Sequence, residues 1–302
     1  MQADYIWMNG QMVPFNEANI HFLSPTIHYG LGAFEGIRCY KTSKGPAIFR
    51  LDEHLQRLLD SALILGINNF EYSLEELRQA TFEVIKANKF TECYIRPLIY
   101  LEGPLGLDLD VSTPKIGIST WEWGTYLGDE ALESGVNMMI SSFTRHHINV
   151  SMTKAKISGN YVNSVLAKTL ALRSGYDEAI MLDPDGYVSE CSGENLFIVN
   201  SQNIQTPPKA TILEGITRDS IITIAKDSGF KISENMISRD QIYIADELFV
   251  CGTAAEVTPV RSVDHRTIGA GKPGTVTKNI QQTFFDTVNG NGKRSQEWLS
   301  HI

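Results

Sequence analysis

Hydrophobic and polar residues alternate with a period of two in several short runs along the first 125 positions, a pattern typical of half-buried β-strands. The runs at 5–8 and 11–13 flank the pair Asn9-Gly10, the strongest two-residue signal for a hairpin turn. The sequence therefore predicts a β-hairpin at the start of the chain. Further strands are predicted at 33–40, 47–49, 94–101 and 115–123.

Two longer stretches among these strands repeat apolar residues at the spacing of an α-helix. The first carries the stripe Leu55, Leu58, Leu59, Ala62 and Leu63. Asp52 is expected to cap this helix and Gly66 to end it. The second opens on Ser73 with Glu76 three residues later, a capping box, and is expected to run to about Asn88.

The remaining chain alternates predicted strands and helices. Strands are expected at 136–143, 179–182, 187–190, 195–199, 248–251 and 257–263, and helices at 160–173, 217–228 and 275–288. Together the two halves predict an α+β protein. We expect a small domain at 1–125, a connector at 126–135 and a larger domain at 136–302 that carries Lys156.

Composition and charge narrow the class of protein. The net charge of -9 and the lack of any Lys/Arg-rich stretch argue against nucleic-acid binding. The longest apolar runs, such as 62–67, fall far short of the roughly 18 residues of a membrane-spanning helix. Asp4 stands where a signal peptide would carry basic residues, so a cytoplasmic location is expected.

The cysteines and histidines show no metal-binding pattern. Cys39, Cys93, Cys191 and Cys251 lie far apart without CxxC spacing, which predicts buried free thiols rather than a zinc site or a disulfide framework. The seven histidines show neither HxxxH nor HExxH spacing. No metal site is predicted.

Lys156 and Glu190 are the first candidates for chemistry. Lys156 lies in a loop of small residues, 153–161, that opens onto a helix, where an amine can point into a cleft; a solvated surface lysine is the alternative. Glu190 ends a predicted strand on the same face as Val188. If that face is covered, the carboxylate needs a cationic partner, and otherwise it reaches water.

Two turns are candidates for holding a phosphate. The segment 213–218 runs from a tight turn into a helix, whose first N–H groups can receive an anion. The segment 252–255, Gly-Thr-Ala-Ala, follows a strand and is small enough for close backbone approach. Considered alone, each segment is better explained as structural, since Thr217 can simply cap its helix and Gly252 can simply form a turn.

Arginine and tyrosine side chains supply further candidates. Helical spacing places Arg57 on the side of its helix that also carries Arg50, His54 and Ser61, opposite the leucine stripe. Arg57 is therefore expected to be solvated unless a second domain covers that side. Tyr94 and Arg96 share one face of a strand, and they can either present a hydroxyl and a guanidinium to one ligand or decorate a strand edge.

Six segments in order resemble the branched-chain amino acid aminotransferases of the pyridoxal phosphate fold-type IV group. They are 29–38 (YGLGAFEGIR), 94–98 (YIRPL), 156–161 (KISGNY), 186–197 (GYVSECSGENLF), 215–219 (GITRD) and 252–259 (GTAAEVTP). The resemblance covers nearly the whole chain. It implies a two-domain α+β fold, similar to that of D-amino acid aminotransferase, with pyridoxal 5′-phosphate in the interdomain cleft.

The resemblance also implies roles for the cofactor-binding residues. Lys156 would form the internal aldimine and then move a proton between the substrate Cα and the cofactor C4′. Glu190 would keep the pyridine nitrogen protonated, and Tyr161 would bond the phenolate oxygen. The phosphate would be bound by Arg57, Ile216, Thr217 and Thr253.

The substrate pocket implied by the resemblance has to accept both leucine-like and glutamate side chains. Its positions match Tyr29, Phe34, Gly36, Trp123, Tyr126 and Ala254. Arg96 with Tyr29 would bind the distal carboxylate of glutamate, and Tyr94 with the Thr253-Ala254 backbone would bind the α-carboxylate.

The activity implied is ping-pong transamination between L-leucine, L-isoleucine or L-valine and 2-oxoglutarate, giving 2-oxo acids and L-glutamate. The partners would be these small molecules and at least one further copy of the chain, in a homodimer or a hexamer. A fold-type IV lyase such as aminodeoxychorismate lyase is one alternative, against which Tyr94 and Arg96 count. A non-catalytic binding protein is another, disfavoured by the presence of both Lys156 and Glu190.

Overall fold

The computed structural model describes residues 3–124 and 126–302. Its strands are β1 (Tyr5–Met8), β2 (Gln11–Pro14), β3 (Ala33–Phe34), β4 (Ile37–Thr42), β5 (Gly45–Phe49), β6 (Cys93–Glu102), β7 (Thr113–Trp121), β8 (Val136–Ile140), β9 (Glu178–Leu182), β10 (Val188–Cys191), β11 (Asn195–Asn200), β12 (Asn203–Thr206), β13 (Lys231–Glu234), β14 (Glu247–Gly252), β15 (Glu256–Val263), β16 (Arg266–Thr267) and β17 (Leu299–His301). Its α-helices are α1 (Pro25–Tyr29), α2 (Leu51–Leu65), α3 (Leu74–Asn88), α4 (Asp129–Ser134), α5 (Ile148–Ser151), α6 (Tyr161–Arg173), α7 (Ile216–Asp227), α8 (Arg239–Tyr243), α9 (Thr275–Val288) and α10 (Ser295–Trp298). The predicted mixture of helices and sheets is confirmed.

Contacts divide the chain into two units. The first unit contains the chain up to Trp123 together with 155–161 and 287–302, and the second contains 124–154 and 162–286. Residue 125, the predicted end of the small domain, lies outside the described residues. The segment 155–161 belongs to the first unit because Ile157 forms a β-bridge with Ala33. Lys156 therefore lies in the first unit by its contacts. The domain boundaries predicted from the sequence assign it instead to the larger domain, 136–302. The expected connector, 126–135, contains α4.

The first unit is built on an antiparallel sheet. Its strand order is β17-β5-β4-β6-β7-β1-β2, and β3 pairs with β6. The predicted hairpin is confirmed, with Tyr5 opposite Pro14 and Met8 opposite Gln11. Side chains such as Ile37 and Ile95 form a buried core with α3 and with most of the leucine stripe of α2. Leu63, the last residue of the predicted stripe, is instead 62% exposed. The packing of this core leaves alternate residues of β6, Tyr94 and Arg96 among them, on the other face of the strand.

Most local signals in the first unit predict the observed structure. The capping box of Ser73 and Glu76 is present, and α2 ends at Gly66, which has φ 96°. Asp52 does not cap α2: the N-cap is Arg50 with φ 50°, and Asp52 lies in the first turn, where its charge favours the helix dipole. The single strand predicted at 33–40 is interrupted after Phe34. The Glu35 N–H donates to the carbonyl of Pro97, its partner on β6, but Pro97 has no N–H with which to return the second hydrogen bond of the ladder.

The second unit is built on a mixed sheet with strand order β10-β9-β8-β15-β14-β11-β12-β13, to which β16 adds beside β15. The β8–β9, β8–β15 and β12–β13 pairs are parallel, and the other pairs are antiparallel. Apolar side chains of β8, β11, β14 and β15 form its core. The predicted hairpin of β9 and β10 is present, with a register shift between Val188 and Glu190.

The four cysteines are buried free thiols, as predicted. Among the described residues, no group of three or more His, Cys, Asp and Glu side chains is arranged to hold a metal ion. In the same ranges, no helix has the length and hydrophobicity needed to cross a membrane.

Candidate active site

The backbone around Lys156 is fixed from two directions. Its carbonyl accepts a hydrogen bond from the Phe34 N–H at 3.0 Å, and its own N–H donates to the Ser61 Oγ at 3.0 Å. The bridge between Ala33 and Ile157 adds a third attachment. The loop that carries Lys156 is therefore tied to β3 and to the polar side of α2.

The Lys156 amine lies against two aromatic rings. Its Nζ is 4.9 Å from the centroid of Phe34 and 4.8 Å from that of Tyr161, and it donates a hydrogen bond to the Tyr161 hydroxyl. The two rings meet edge to face with centroids 4.8 Å apart. This half-buried setting differs from that of an ordinary solvated lysine.

Arg96 approaches the same Phe34 ring. Its guanidinium carbon lies 4.8 Å from the Phe34 centroid, 5.7 Å from Tyr94 and 5.9 Å from Trp121. Trp123 packs edge to face on Tyr94 at 4.5 Å. The Arg96 Nε is buried and has no hydrogen-bond partner among the described residues. A buried donor without an acceptor is costly, so this aromatic-walled cation is suited to a carboxylate ligand.

Gly36 is adapted to Tyr94. A Cβ added at Gly36 would lie 2.0 Å from the Tyr94 hydroxyl oxygen, inside any permitted contact. Only glycine lets the tyrosine hydroxyl approach the backbone at this point. The glycine at position 36 thus leaves room for the side chain of Tyr94, 58 positions later in the chain.

Arg57 does not face solvent, and the expectation of a solvated arginine is wrong. Its side chain is only 15% exposed, and its Nε and Nη2 donate to the Glu35 carboxylate at 2.6 and 3.0 Å. His54 Nδ1 lies 2.8 Å from the same carboxylate. Periodicity correctly puts His54, Arg57 and Ser61 on one side of α2, but the chain around Glu35 and Lys156 covers that side.

The charges of this group follow from burial and pairing. Burial alone would raise the pKa of Glu35, but the charges of Arg57 and His54 outweigh it and hold that pKa well below its ordinary value. Burial lowers the pKa of His54, although Glu35 acts in the opposite direction. Burial opposes the charge of Arg57, yet Glu35 raises its pKa above the ordinary value. Near neutral pH, the Glu35 carboxyl and the Arg57 guanidinium are therefore both charged.

In the second unit, Glu190 is buried and paired. Its Oε1 accepts from the Arg145 Nε at 2.7 Å, with both side chains 7% exposed. Its Oε2 accepts from the Leu213 N–H at 3.0 Å and from the Asn195 Nδ2 at 3.3 Å. The carboxylate thus has the cationic partner that a covered position requires.

Asn195 connects Glu190 to the beginning of α7. Its Nδ2 also donates to the Leu213 carbonyl at 3.2 Å, and a Cβ on Gly215 would lie 2.0 Å from its Oδ1. Gly215, not Thr217, is the N-cap of α7, and Ile216 and Thr217 are buried in the first turn. The turn that leads into α7 is therefore joined to the Glu190 carboxylate through Asn195 and Leu213.

The turn between β14 and β15 contains Thr253 and Ala254, both half-buried. It lies close to the chain that follows β10, because a Cβ on Gly252 would approach the Gly193 carbonyl oxygen to 3.3 Å. Tyr126 is exposed in this unit, with the Lys168 Nζ 5.1 Å from its ring centroid.

The structure groups the predicted site residues within each unit. The first unit contains Phe34, Gly36, Arg57, Tyr94, Arg96, Trp123, Lys156 and Tyr161, and the second contains Tyr126, Glu190, Ile216, Thr217, Thr253 and Ala254. Tyr29 is 43% exposed at the end of α1 and packs on His28 at 6.3 Å. Among the described residues, no hydrogen bond or ring contact joins Tyr29 to the group of the first unit.

Four residues of these networks were not identified from the sequence: Glu35, His54, Arg145 and Asn195. Glu35 and Asn195 occur inside the quoted segments 29–38 and 186–197, so the only signal was their position between residues already singled out. Arg145 lies 45 positions from Glu190, and no local pattern connects the two.

Comparisons with known proteins give one consistent result. Residues 32–263 match the family model described as amino-transferase class IV. The chain is 49% identical over 299 residues to a branched-chain-amino-acid aminotransferase of Pseudomonas aeruginosa, covering 98% of this chain and 97% of the relative.

Solved structures agree. The crystal structure of the Escherichia coli branched-chain amino acid aminotransferase superposes with a TM-score of 0.96 at 47% identity, covering 99% of each chain. The branched-chain aminotransferase of Thermobaculum terrenum, solved in its PLP-form, superposes with a TM-score of 0.90 at 32% identity, covering 99% of this chain and 98% of that one.

Proposed function

The chain belongs to the class IV aminotransferase family, and we propose that it transfers the amino group of L-leucine, L-isoleucine and L-valine to 2-oxoglutarate with pyridoxal 5′-phosphate as cofactor. The observation that carries the proposal is the Lys156 amine held on Phe34 and Tyr161, with the Arg96 guanidinium over the same Phe34 ring. An amine to hold the cofactor and a cation to recognise a second carboxylate are the two requirements of such a transfer.

The residues present fit the cofactor. Its three polar ends are an aldehyde, a ring nitrogen and a phosphate, and the chain offers a half-buried amine, a buried carboxylate and the start of α7. The guanidinium of Arg145 beside Glu190 favours the charged form of this carboxyl group. An anion at this position suits a protonated ring nitrogen. Once bound, pyridoxal 5′-phosphate supplies a carbonyl that condenses with amines and a ring that withdraws electrons from the substrate Cα.

Lys156 binds the cofactor and then moves the proton. Its backbone is fixed by Phe34 and Ser61, so the side chain alone has to change position during turnover. With the cofactor bound, this amine would be the base that takes up the proton of the substrate Cα and the acid that gives it back. Tyr161, whose hydroxyl receives the Lys156 hydrogen bond, binds the ring oxygen of the cofactor.

Glu190 holds a proton on the ring nitrogen of the cofactor. A carboxylate that is buried and paired with Arg145 remains an acceptor and cannot turn away to solvent. Asn195 and the Leu213 N–H restrict the second oxygen in the same way.

The phosphate is bound by Arg57, Ile216, Thr217 and Thr253. Backbone N–H groups in the first turn of α7 favour an anion, and the Thr217 hydroxyl and the Thr253 turn add further donors. A guanidinium contributes a planar pair of donors suited to phosphate oxygens.

Two kinds of side chain have to enter the same pocket. The rings of Phe34, Trp123 and Tyr126, with Gly36 and Ala254, suit a branched aliphatic chain. Tyr94 binds the α-carboxylate, and Arg96 with Tyr29 binds the distal carboxylate of glutamate and 2-oxoglutarate. The buried Arg96 Nε without a partner among the described residues supports this assignment, because a substrate carboxylate would supply an acceptor for it.

The protein acts as a homodimer or as a hexamer. The support is an apolar stripe of α6 that faces solvent: Val162 is 61% exposed, Val165 59%, Leu166 46% and Leu172 56%. Residues at this spacing line one side of a helix, and such stripes are normally covered. The four buried free thiols suit a cytoplasmic location, where disulfides are rare.

The visible absorption spectrum of the purified protein tests the function. Adding L-leucine should bleach the band of the bound aldehyde cofactor, and adding 2-oxoglutarate should restore it. A spectrum that responds only while aminodeoxychorismate yields pyruvate would point to a lyase. A colourless protein that does not bind the cofactor would point to a non-catalytic function. Either of these results would overturn the proposal.

A further inference from the structure

The carboxylate of Glu35 is the centre of a buried polar group in the first unit. It is fully buried and accepts from Arg57 Nε at 2.6 Å, Arg57 Nη2 at 3.0 Å and the Gly36 N–H at 3.1 Å. His54 Nδ1 lies 2.8 Å from its Oε2 and completes the group. Gly36 and His54 thus hold the Glu35 carboxylate in place, and its two oxygens fix the plane of the Arg57 guanidinium.

Stability alone does not account for this arrangement. A buried ion pair contributes little net stability, and apolar residues of similar volume often replace one without loss. Glu35 also lies between Phe34 and Gly36, at the interruption between β3 and β4. The chain that supplies two predicted pocket residues therefore also supplies the acceptor for Arg57.

We propose that Glu35, supported by His54, is a positioning residue that fixes the orientation of the Arg57 guanidinium toward the cofactor phosphate. The inference rests on the proposed function, in which Arg57 binds that phosphate. Arg57 and Glu35 carry opposite charges, so the pair has no net charge with which to attract a dianion. Arg57 binds the phosphate through donors held in a fixed direction.

Charge and orientation make opposite predictions for Glu35→Gln. Removing the negative charge leaves Arg57 uncompensated, so simple attraction would tighten phosphate binding. Loss of the bidentate acceptor releases the guanidinium, so a positioning function predicts weaker binding. We expect weakening of about 10- to 100-fold, by analogy with the loss of a residue that orients a metal ligand.

The measurement is a titration of the full chain, stripped of cofactor, with pyridoxal 5′-phosphate and separately with pyridoxal, which lacks the phosphate. Glu35→Gln should lower the affinity for the phosphorylated compound and leave the affinity for pyridoxal within about two-fold. Asp60→Asn is the matched control, because it removes a charge from the exposed side of α2, where Asp60 accepts from Gln56.

Arg57→Gln separates failure of the inference from failure of the proposed function. If Arg57→Gln does not weaken binding of the phosphorylated compound, the phosphate assignment fails and the inference with it. If Arg57→Gln weakens binding and Glu35→Gln does not, the inference alone is overturned. The double variant Glu35→Gln/Arg57→Gln should bind no more weakly than Arg57→Gln alone, since Glu35 acts on the phosphate only through Arg57.

His54 keeps the inference testable if Glu35→Gln does not fold. Asparagine carries an N–H donor near the position of Nδ1, and the His54 Nε2 has no hydrogen-bond partner among the described residues. His54→Leu should therefore weaken binding of pyridoxal 5′-phosphate several-fold, and His54→Asn should restore most of it. Equal affinities for these two variants would overturn the inference.

Discussion

Arg145→Met should destabilise the protein more than the loss of any exposed ion pair. Arg145 and Glu190 are each 7% exposed, and their Nε and Oε1 atoms are 2.7 Å apart. Removing one partner of such a pair leaves an uncompensated buried charge, which costs about 3–5 kcal/mol. Asn195 and the Leu213 N–H still bond the carboxylate, so we expect a value near the lower end, about 3 kcal/mol.

The assay is urea unfolding of the cofactor-free chain, comparing transition midpoints. With a denaturant dependence of about 3 kcal/mol per molar, that loss lowers the midpoint by about 1 M. Lys209→Met is the matched control in the same unit: the Lys209–Glu214 pair has a similar distance, 2.8 Å, but its side chains are 53% and 44% exposed. Its loss should cost less than about 1 kcal/mol.

The double variant Arg145→Met/Glu190→Gln identifies the cause. Neutralising Glu190 removes the unpaired charge, so the double variant should recover about 1–2 kcal/mol relative to Arg145→Met alone. Arg145→Met could instead cost no more stability than Lys209→Met, or Glu190→Gln could lower the stability of Arg145→Met further. Either result would show that Arg145 does not neutralise a buried Glu190 charge.

Three further predictions concern the pocket and the effect of pH. Arg96→Leu should lower kcat/KM for L-glutamate by about 10- to 100-fold and that for L-leucine by less than about three-fold, because only glutamate has a second carboxylate to bond; equal losses in the two half-reactions would contradict this role. Gly36→Ala should raise KM for both amino acids while keeping the far-ultraviolet spectrum, since the new Cβ would lie 2.0 Å from the Tyr94 hydroxyl oxygen; unchanged KM values would show that Tyr94 is not needed where it lies. Burial, and then the charge of Glu178, raises the pKa of Glu194 to about 8 from 4.5, so the folded chain binds this proton more tightly than the unfolded chain. The associated stability is complete below about pH 4.5 and is lost as the pH rises through about 8, so Glu194→Gln should reduce the fall in Tm between about pH 6 and pH 9; an identical fall in both proteins would refute it.

Features controlled by neighbouring residues can be predicted from the sequence. The Asn9-Gly10 hairpin, the Ser73–Glu76 capping box and the end of α2 at Gly66 all follow from local geometry. Short strands such as β12 and β13 are missed, because their sequences, NIQT and KISE, carry too few apolar residues to show a pattern. They form by strand pairing: β12 pairs with β11 and with β13, and β13 is the edge of the second sheet.

Long-range pairing explains what the sequence could not reveal about the site. The side of α2 that carries Arg57 is polar because it faces Glu35, which lies 22 positions earlier, and not because it faces water. Tyr94 and Arg96 could be placed on one face by alternation, but the rings around Arg96 come from three separate segments. The family resemblance supplied roles for these residues, and contacts within each unit show how the side chains are held.

Reduction with borohydride followed by peptide mass mapping tests the central claim most directly, because it fixes the cofactor on the amine that carries it. Lys154, two positions away, is an internal control: its Nζ donates to the backbone carbonyls of Lys209 and Ile212. We predict that the reduced cofactor is found on Lys156 alone and that Lys156→Ala abolishes the label. Label on Lys154, or label that persists in the Lys156→Ala variant, would contradict the account.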